Sequence, residues 1–393
     1  MWARRWRARV GLTNAGIRVV LVALCAVLLA GCASFPDTGP RDWHDKPKDN
    51  GPLMAPPVVP NTPPDAPDQD RQGPGQQGQQ SGPNGCTDPD PQVVATCLSP
   101  VSAIAVLPDS QSALVAERAT GRILLVQKGK DPQPYATVPV NASGGGLIGL
   151  VLSPSYQEDS LIYVYAASGS DHRVLRIAKG FPPVPVLTGI PATPGDDSGG
   201  LAVGKGGALL VATGSSAPDP GAGSLAGKLL RIDTFGHPMP DNPDPRSPIF
   251  SSGLRSPGGV CVGSDGGAWV TDRIPERDVL YQMNPGPVGI PAWGWPERPH
   301  VAGCAAPSGS LLIAERGGSA LFLLRTSPQG GFTGTPQTLL AGTYGRLSPV
   351  VLAADGLIWL GTNNKGGGGP VVSSDDRVIR IQPPSGGAAG GPD

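Results

Sequence analysis

Long apolar runs, an excess of basic charge and metal-ligand spacings are all missing from this 393-residue chain. Each absence removes a class of function. Thirty Lys and Arg balance thirty-one Asp and Glu, for a formal net charge of −1. That leaves no surplus for the basic patch or stripe on which nucleic-acid binding rests. The longest apolar stretch, residues 19–30, is too short to span a hydrocarbon core, which takes roughly 20 apolar residues. There are six cysteines and four histidines. No two cysteines stand in Cys-x-x-Cys spacing, and His237 and His300 are isolated, which argues against a metal centre. Helical periodicity is almost absent. The glycine clusters at 144–146, 199–200 and 366–369 open no helix, so they read as turns and close backbone approaches, not as phosphate cradles.

What is present begins at the N-terminus. Arg4, Arg5, Arg7, Arg9 and Arg18 precede the short apolar run, which ends in Leu29-Ala30-Gly31-Cys32. A charged segment, an apolar core and a small-residue cleavage site form an export signal. A cysteine directly after Leu-Ala-Gly is the residue that becomes acylated in a bacterial lipoprotein. Cys32 is therefore the expected lipidation site, and residues 1–31 the signal peptide. A diacylated cysteine supplies the two chains that stable anchoring requires. The expected location is the extracytoplasmic face of the cell membrane, with the membrane reached through Cys32.

Residues 36–85 are dominated by Pro, Gly, Gln, Asp and Asn. Such a segment buries too little apolar surface to offset its ordering entropy, so residues 32–85 read as a lipidated N-terminus and disordered tether. Cys25 leaves with the signal, so four cysteines remain beside Cys32. An even number in an exported protein argues for disulfides, and four allow three pairings. The expected pairs are Cys86 with Cys97, closing a short loop where ordered sequence begins, and Cys261 with Cys304, stapling neighbouring repeats.

From Cys97 onward the chain repeats at intervals of roughly 40 to 60 residues, the range of solenoids and propellers. Each unit carries an apolar strand, a turn of Asp, Gly, Pro or Ser, a second apolar strand, a variable loop and a third strand. Six such units are visible, from AIAVLPDSQSALVAERATGRILLV to SPVVLAADGLIWLGTNN with the later DDRVIRI. Extended pieces such as PYATVPV and TPQTLLAG supply outer strands. The expected fold is all-β: a six-bladed β-propeller with four-stranded antiparallel blades over 86–383, and a short disordered tail at 384–393. Seven blades is the alternative if residues 181–194 hide one.

Three acidic-Arg pairs, Glu117-Arg118, Asp272-Arg273 and Glu315-Arg316, each follow the second strand of a unit. Equivalent blades would set them around one end of the channel, as inter-blade ion pairs or as ligand contacts. Arg255, in GLRSP, and Arg346, in YGRLSP, precede inner strands; arginine there suits an anion through bidentate hydrogen bonds.

GGLIGLVLSP, SLAGKLLRID leading to PMPDNP, SSGLRSPGG, AWGWPE and YGRLSPVVLAADGLIWLGTNN together resemble the soluble quinoprotein glucose/sorbosone dehydrogenases over residues 99–383. The lipobox, Pro-rich tether and placing of the four mature cysteines resemble LppZ-like lipoproteins of mycobacteria and other actinobacteria. The first resemblance implies a six-bladed propeller using pyrroloquinoline quinone (PQQ) and calcium. In that family a histidine of a His-x-Gly-Gly motif takes the substrate hydroxyl proton; here the motif reads Asp197-Ser198-Gly199-Gly200, so Asp197 stands at the catalytic position. The family's Gln or Glu ahead of the Gly-Leu-x-Gly turn becomes Gly144. Its Arg-Asn pair becomes Arg255-Ser256. Its lysine falls near Gly317 beside Arg316, and of two arginines in the last blade Arg346 remains, the other being Ser348. The resemblance thus implies Arg255, Ser256, Arg316 and Arg346 as cofactor contacts, and a calcium loop shortened around Ile274-Pro275.

Three functional readings follow. The first is a propeller with a degenerate catalytic site that binds a sugar, envelope glycan or small metabolite at the channel mouth. The second is an active PQQ-dependent sugar dehydrogenase, and the third an envelope scaffold for protein partners. The expected state is a monomer.

Overall fold

The computed structural model describes residues 86–192, 198–367 and 371–383. The signal segment, Cys32, the tether, Asp197 and the C-terminal tail lie outside them.

The described residues form six sheets, each built on four antiparallel strands arranged as a blade. Blade I comprises Val101–Val106, Ser112–Glu117, Arg122–Gln127 and Gln133–Thr137, from inner to outer strand. Blade II comprises Leu147–Leu152, Ile162–Ser168, Asp171–Ile177 and Val184–Pro191. Blade III comprises Gly200–Val203, Leu209–Ala212, Lys228–Ile232 and Ile249–Ser252, with Gly286–Pro287 added in parallel at its edge. Blade IV comprises Pro257–Val262, Ala268–Arg273, Asp278–Gln282 and Trp293–Trp295. Blade V comprises Val301–Ala305, Ser310–Glu315, Ala320–Thr326 and Phe332–Leu339. Blade VI comprises Leu347–Leu352, Ile358–Thr362 and Val378–Ile381, completed by Val93–Ala95. This is the expected six-bladed propeller. The stretch that could have hidden a seventh blade holds the outer strand of blade II.

The apolar pattern follows from the packing. A second strand is covered on both faces by neighbouring blades, so Ser112–Glu117 is buried along its whole length and reads as a continuous run. An outer strand such as Gln133–Thr137 is half solvated, and its sequence is polar. The core is accordingly divided into six apolar clusters, one at each blade interface. Leu114, Ile123, Leu147 and Val164, for example, join blades I and II.

Ring closure is made by the first described strand. Val93 pairs with Ile379 and Ala95 with Val378, so the start of the domain supplies the outer strand of its last blade. The Cys86–Cys97 disulfide flanks this strand. Leu98 and Asp376 then exchange backbone hydrogen bonds of 3.0 Å each. Cys261–Cys304 joins the inner strands of blades IV and V, so both expected disulfides are present.

Candidate functional site at the channel mouth

The inner strands begin at one end of the central channel. In five blades each carries a register shift close to its first residue, as between Val101 and Ala103 or between Leu347 and Val350. A bulge bends the strand and re-aims its neighbours, and such devices gather beside functional sites. The second strands, running antiparallel, end at the same level. The three acidic-Arg pairs therefore lie at one end, the mouth.

Within the pairs Glu117 and Asp272 are anchors. Glu117 is fully buried and accepts from Arg122 Nε at 2.7 Å and Nη2 at 2.9 Å, and from the Ser99 amide at 2.9 Å. Burial works against its ionisation, but these donors outweigh it and hold the carboxyl below its ordinary pKa. Asp272, also fully buried, accepts from the amides of Arg255 at 2.9 Å and Ser256 at 2.6 Å. Here burial dominates and pushes the carboxyl up to about 6. Glu315 is pushed up to about 7 by burial, reinforced by the charges of Glu297 and Asp278. Asp278 accepts from the Val301 amide at 2.9 Å. Glu117, Asp272 and, outside the pairs, Asp278 share the task of fastening the turn that leads into an inner strand.

The arginines divide. Arg118 lines the channel cavity and donates to the Gly145 carbonyl at 3.1 Å. Arg316 is buried and donates to Ser348 Oγ at 3.3 Å, on the channel wall. That cavity is about 90 Å³, small beside the roughly 300–1,000 Å³ of small-molecule pockets. Its walls converge because glycines face each other: a Cβ on Gly259 would lie 2.8 Å from the Gly303 Cα. At the far end the channel widens to about 490 Å³ between apolar side chains such as Val106, Leu152, Val203 and Val262.

A separate cleft at the mouth, about 370 Å³, lies where the turns into blades IV and V meet. Its wall carries Arg255, Ser256, Arg273, Arg298 and His300, with Ser215, Ile274 and Pro275. Arg255 donates to the Ala217 carbonyl at 2.6 Å. Arg273 donates to Ser256 Oγ at 2.7 Å. Arg298 and His300 both hold left-handed backbone, φ 53° and 57°. The amides of Arg316, Gly317 and Gly318 fix this segment through the carbonyls of His300 and Pro299 at 2.7–3.1 Å. A Cβ on Gly317 would lie 2.9 Å from the Pro299 carbonyl oxygen, which explains why no lysine occupies that position.

Of the residues implied as cofactor contacts, Arg255 and Ser256 line this cleft. Arg316 faces Ser348 instead, and Arg346 packs its guanidinium against Gly367, its Nε without an acceptor among the described residues. The cationic wall suits the carboxylates of a quinone, and Arg255 and Ser256 would hold them. Calcium is different, because it takes six to eight oxygens. Around Ile274 and Pro275, where the resemblance placed it, the described residues of the cleft present three arginines, a lining that does not suit a divalent cation. Arg298 and His300 were not legible as site residues beforehand, although they directly follow the AWGWPE motif. A buried pair was also missed: His172 Nε2 lies 2.8 Å from the Gly144 carbonyl, so Nδ1 accepts from Tyr165 Oη at 3.0 Å. These two brace the glycine turns at 144–146 and 199–200, since a Cβ on Gly199 would meet the Tyr165 ring at 2.6 Å.

Residues 98–305 match the family model described as Glucose / Sorbosone dehydrogenase. Among solved structures, the PQQ-bound aldose sugar dehydrogenase of Streptomyces coelicolor is 30% identical, with a TM-score of 0.68 over 74% of this chain and 96% of that one. An oxidoreductase (glucose dehydrogenase) of Thermus thermophilus is 31% identical, with a TM-score of 0.67 over 74% and 98%. The soluble aldose sugar dehydrogenase of Escherichia coli, at 21% identity and a TM-score of 0.63 over 74% and 99%, shares the fold. No curated protein sequence matches the chain.

Proposed function

From the premise that this chain belongs to the glucose/sorbosone dehydrogenase family, we propose that it is a lipid-anchored, extracytoplasmic, LppZ-like envelope lipoprotein. Its propeller binds a saccharide or related small molecule at the channel mouth, and its catalytic constellation is degenerate. The anchoring half of this reading rests on the Leu29-Ala30-Gly31-Cys32 lipobox and the tether that follows it. The binding half rests on the polar cleft beside Arg255, a concave loop surface of small-ligand size.

Loss of a general base ordinarily costs roughly 10²- to 10⁴-fold in rate, which is why Asp197 at the family's histidine position favours binding over turnover. The contacts implied for PQQ are moreover divided between the cleft, the channel wall and blade VI. An active sugar dehydrogenase is the second reading, favoured by Arg255 and Ser256 sharing one cleft. Titration of the full chain with PQQ and calcium, followed by absorbance and thermal shift, separates the two. No uptake, together with a thermal shift from a sugar panel, is the expected result. Tight quinone binding with dye-linked sugar oxidation would replace it with the dehydrogenase.

A further inference from the structure

We propose that the crevice between the far-end turns of blades IV and V is a second saccharide site, one that takes a neutral sugar ring against Trp269. It lies at the opposite end of the propeller from the mouth and stands independently of the reading given there. The crevice is about 230 Å³, framed by the turn through Asp265 in blade IV and by the turns through Ser308 and Gly330 in blade V. That is below the roughly 300–1,000 Å³ of drug-sized pockets and suits one ring or the tip of a chain. Trp269 lines it together with Asp265, Gln282, Ser308, Ser310 and Thr326. A pyranose is amphipathic in a matching way: its axial C–H bonds form an apolar face, while its equatorial hydroxyls each donate and accept. An indole offers flat apolar area to the first, and the carboxylate, amide and hydroxyls around it serve the second. Asp265 gives charge-assisted hydrogen bonds to hydroxyl donors and repels anionic sugars, which selects neutral ones.

The platform is built in place. Val270, Thr271 and Asp272 of the same strand are fully buried, whereas Trp269 keeps part of its surface open. Its ring is braced by Phe332 at 5.9 Å between centroids, and Phe332 in turn meets Trp293 edge-on at 5.9 Å. Little ordering of the indole is left for a ligand to impose. Packing between the blades accounts for the buried side of this indole, and a ligand accounts for the open side beside polar side chains. The polar rim is also held. The Asp265 carboxylate accepts from the Gly267 amide at 2.9 Å, and a Cβ on Gly263 would lie 2.7 Å from its Oδ1. Gln282 stands opposite Trp269 in the register of blade IV. The Thr326 amide donates to the Gly309 carbonyl at 3.0 Å, which joins the two turns of blade V.

The test is calorimetric titration of the full-length chain, held in a detergent without a sugar headgroup, with maltotetraose, cellotetraose and glucuronate. Ligand-efficiency limits put a site for one ring on the order of 1 mM, so concentrated titrant is used. Asp265→Asn keeps the acceptor for the Gly267 amide and removes the charge, and Gln282→Ala trims an exposed side chain; thermal melts confirm that both variants fold. The expected result is a binding component for one or both neutral oligosaccharides that each crevice variant weakens about two- to tenfold, the scale of one hydrogen bond. Arg255→Ala, at the mouth, should leave that component unchanged. Tryptophan fluorescence should shift on binding, and Trp269→Phe should remove the shift. Binding that both crevice variants leave untouched and Arg255→Ala weakens would overturn the second site while the mouth reading stands. Glucuronate binding as tight as that of the neutral sugars, and equally sensitive to the crevice variants, would overturn the neutral class. Failure of both oligosaccharides to bind would overturn the site.

Discussion

Replacing Cys261 and Cys304 together by serine is the sharpest probe of how the ring is held. The bridge spans 43 residues of sequence and joins two buried inner strands, so it ties adjacent blades at the channel wall. In the chain-entropy account, a loop of this length removes about 13 cal/mol/K from the unfolded ensemble, or about 4 kcal/mol at 25 °C. Unfolding entropy near 2.1 cal/mol/K per residue, taken over the described residues, amounts to about 0.6 kcal/mol/K for the domain. The midpoint should therefore fall by about 6 °C. Cys86 and Cys97 are 11 residues apart, and the same relation gives about 3 kcal/mol for their bridge. Scanning calorimetry on the two double variants, each with the other bridge intact, should place the Cys261/Cys304 variant lower. A drop under about 2 °C, or the reverse order, would refute the view that this bridge constrains a long loop between blades.

Two further outcomes follow from burial. Glu315→Gln removes a carboxyl whose folded pKa is raised to about 7, from an ordinary value near 4.5, by burial and by Glu297 and Asp278. The folded state holds this proton more tightly than the unfolded one, so the native protein loses stability as pH rises from about 4.5 to 7. The variant should match the native protein near pH 4 and exceed it above pH 7 by at most about 3 kcal/mol, and denaturant titrations showing no pH-dependent difference would sink the assignment. Deleting residues 86–97 removes the buried strand Val93–Ala95 and leaves Val378–Ile381 as an open edge. Cooperative melting should be lost and proteolysis accelerated, and an unchanged melting curve would show that the ring closes without this strand.

Much of the fold is legible because a propeller is periodic. The pairs LVAER, WVTDR and LIAER recur at one place in their units, and equivalence alone sets them at one end of the channel. The disulfide partners were readable for the same reason, since Cys261 and Cys304 occupy inner strands of consecutive units. The closing strand was harder. Val93–Ala95 is three residues long and belongs to a blade whose other strands lie more than 250 residues later, so no local pattern points to it. The site was least legible. Arg298 and His300 sit in an irregular turn, and their nearness to Arg255 and Arg273 arises only when two inter-blade turns meet.

Composition and period are local properties of the chain, and they determined the fold class, the number of blades and the pairing of cysteines. The roles of the charged residues were decided by tertiary structure. Glu117, Asp272 and Glu315 look alike in sequence, yet one is held ionised by Arg122 while burial drives the other two toward protonation. Three arginines from separate segments become one cationic wall because the ring brings their turns together. Electrostatic environment depends on distances across the fold, and those are set only when the blades pack.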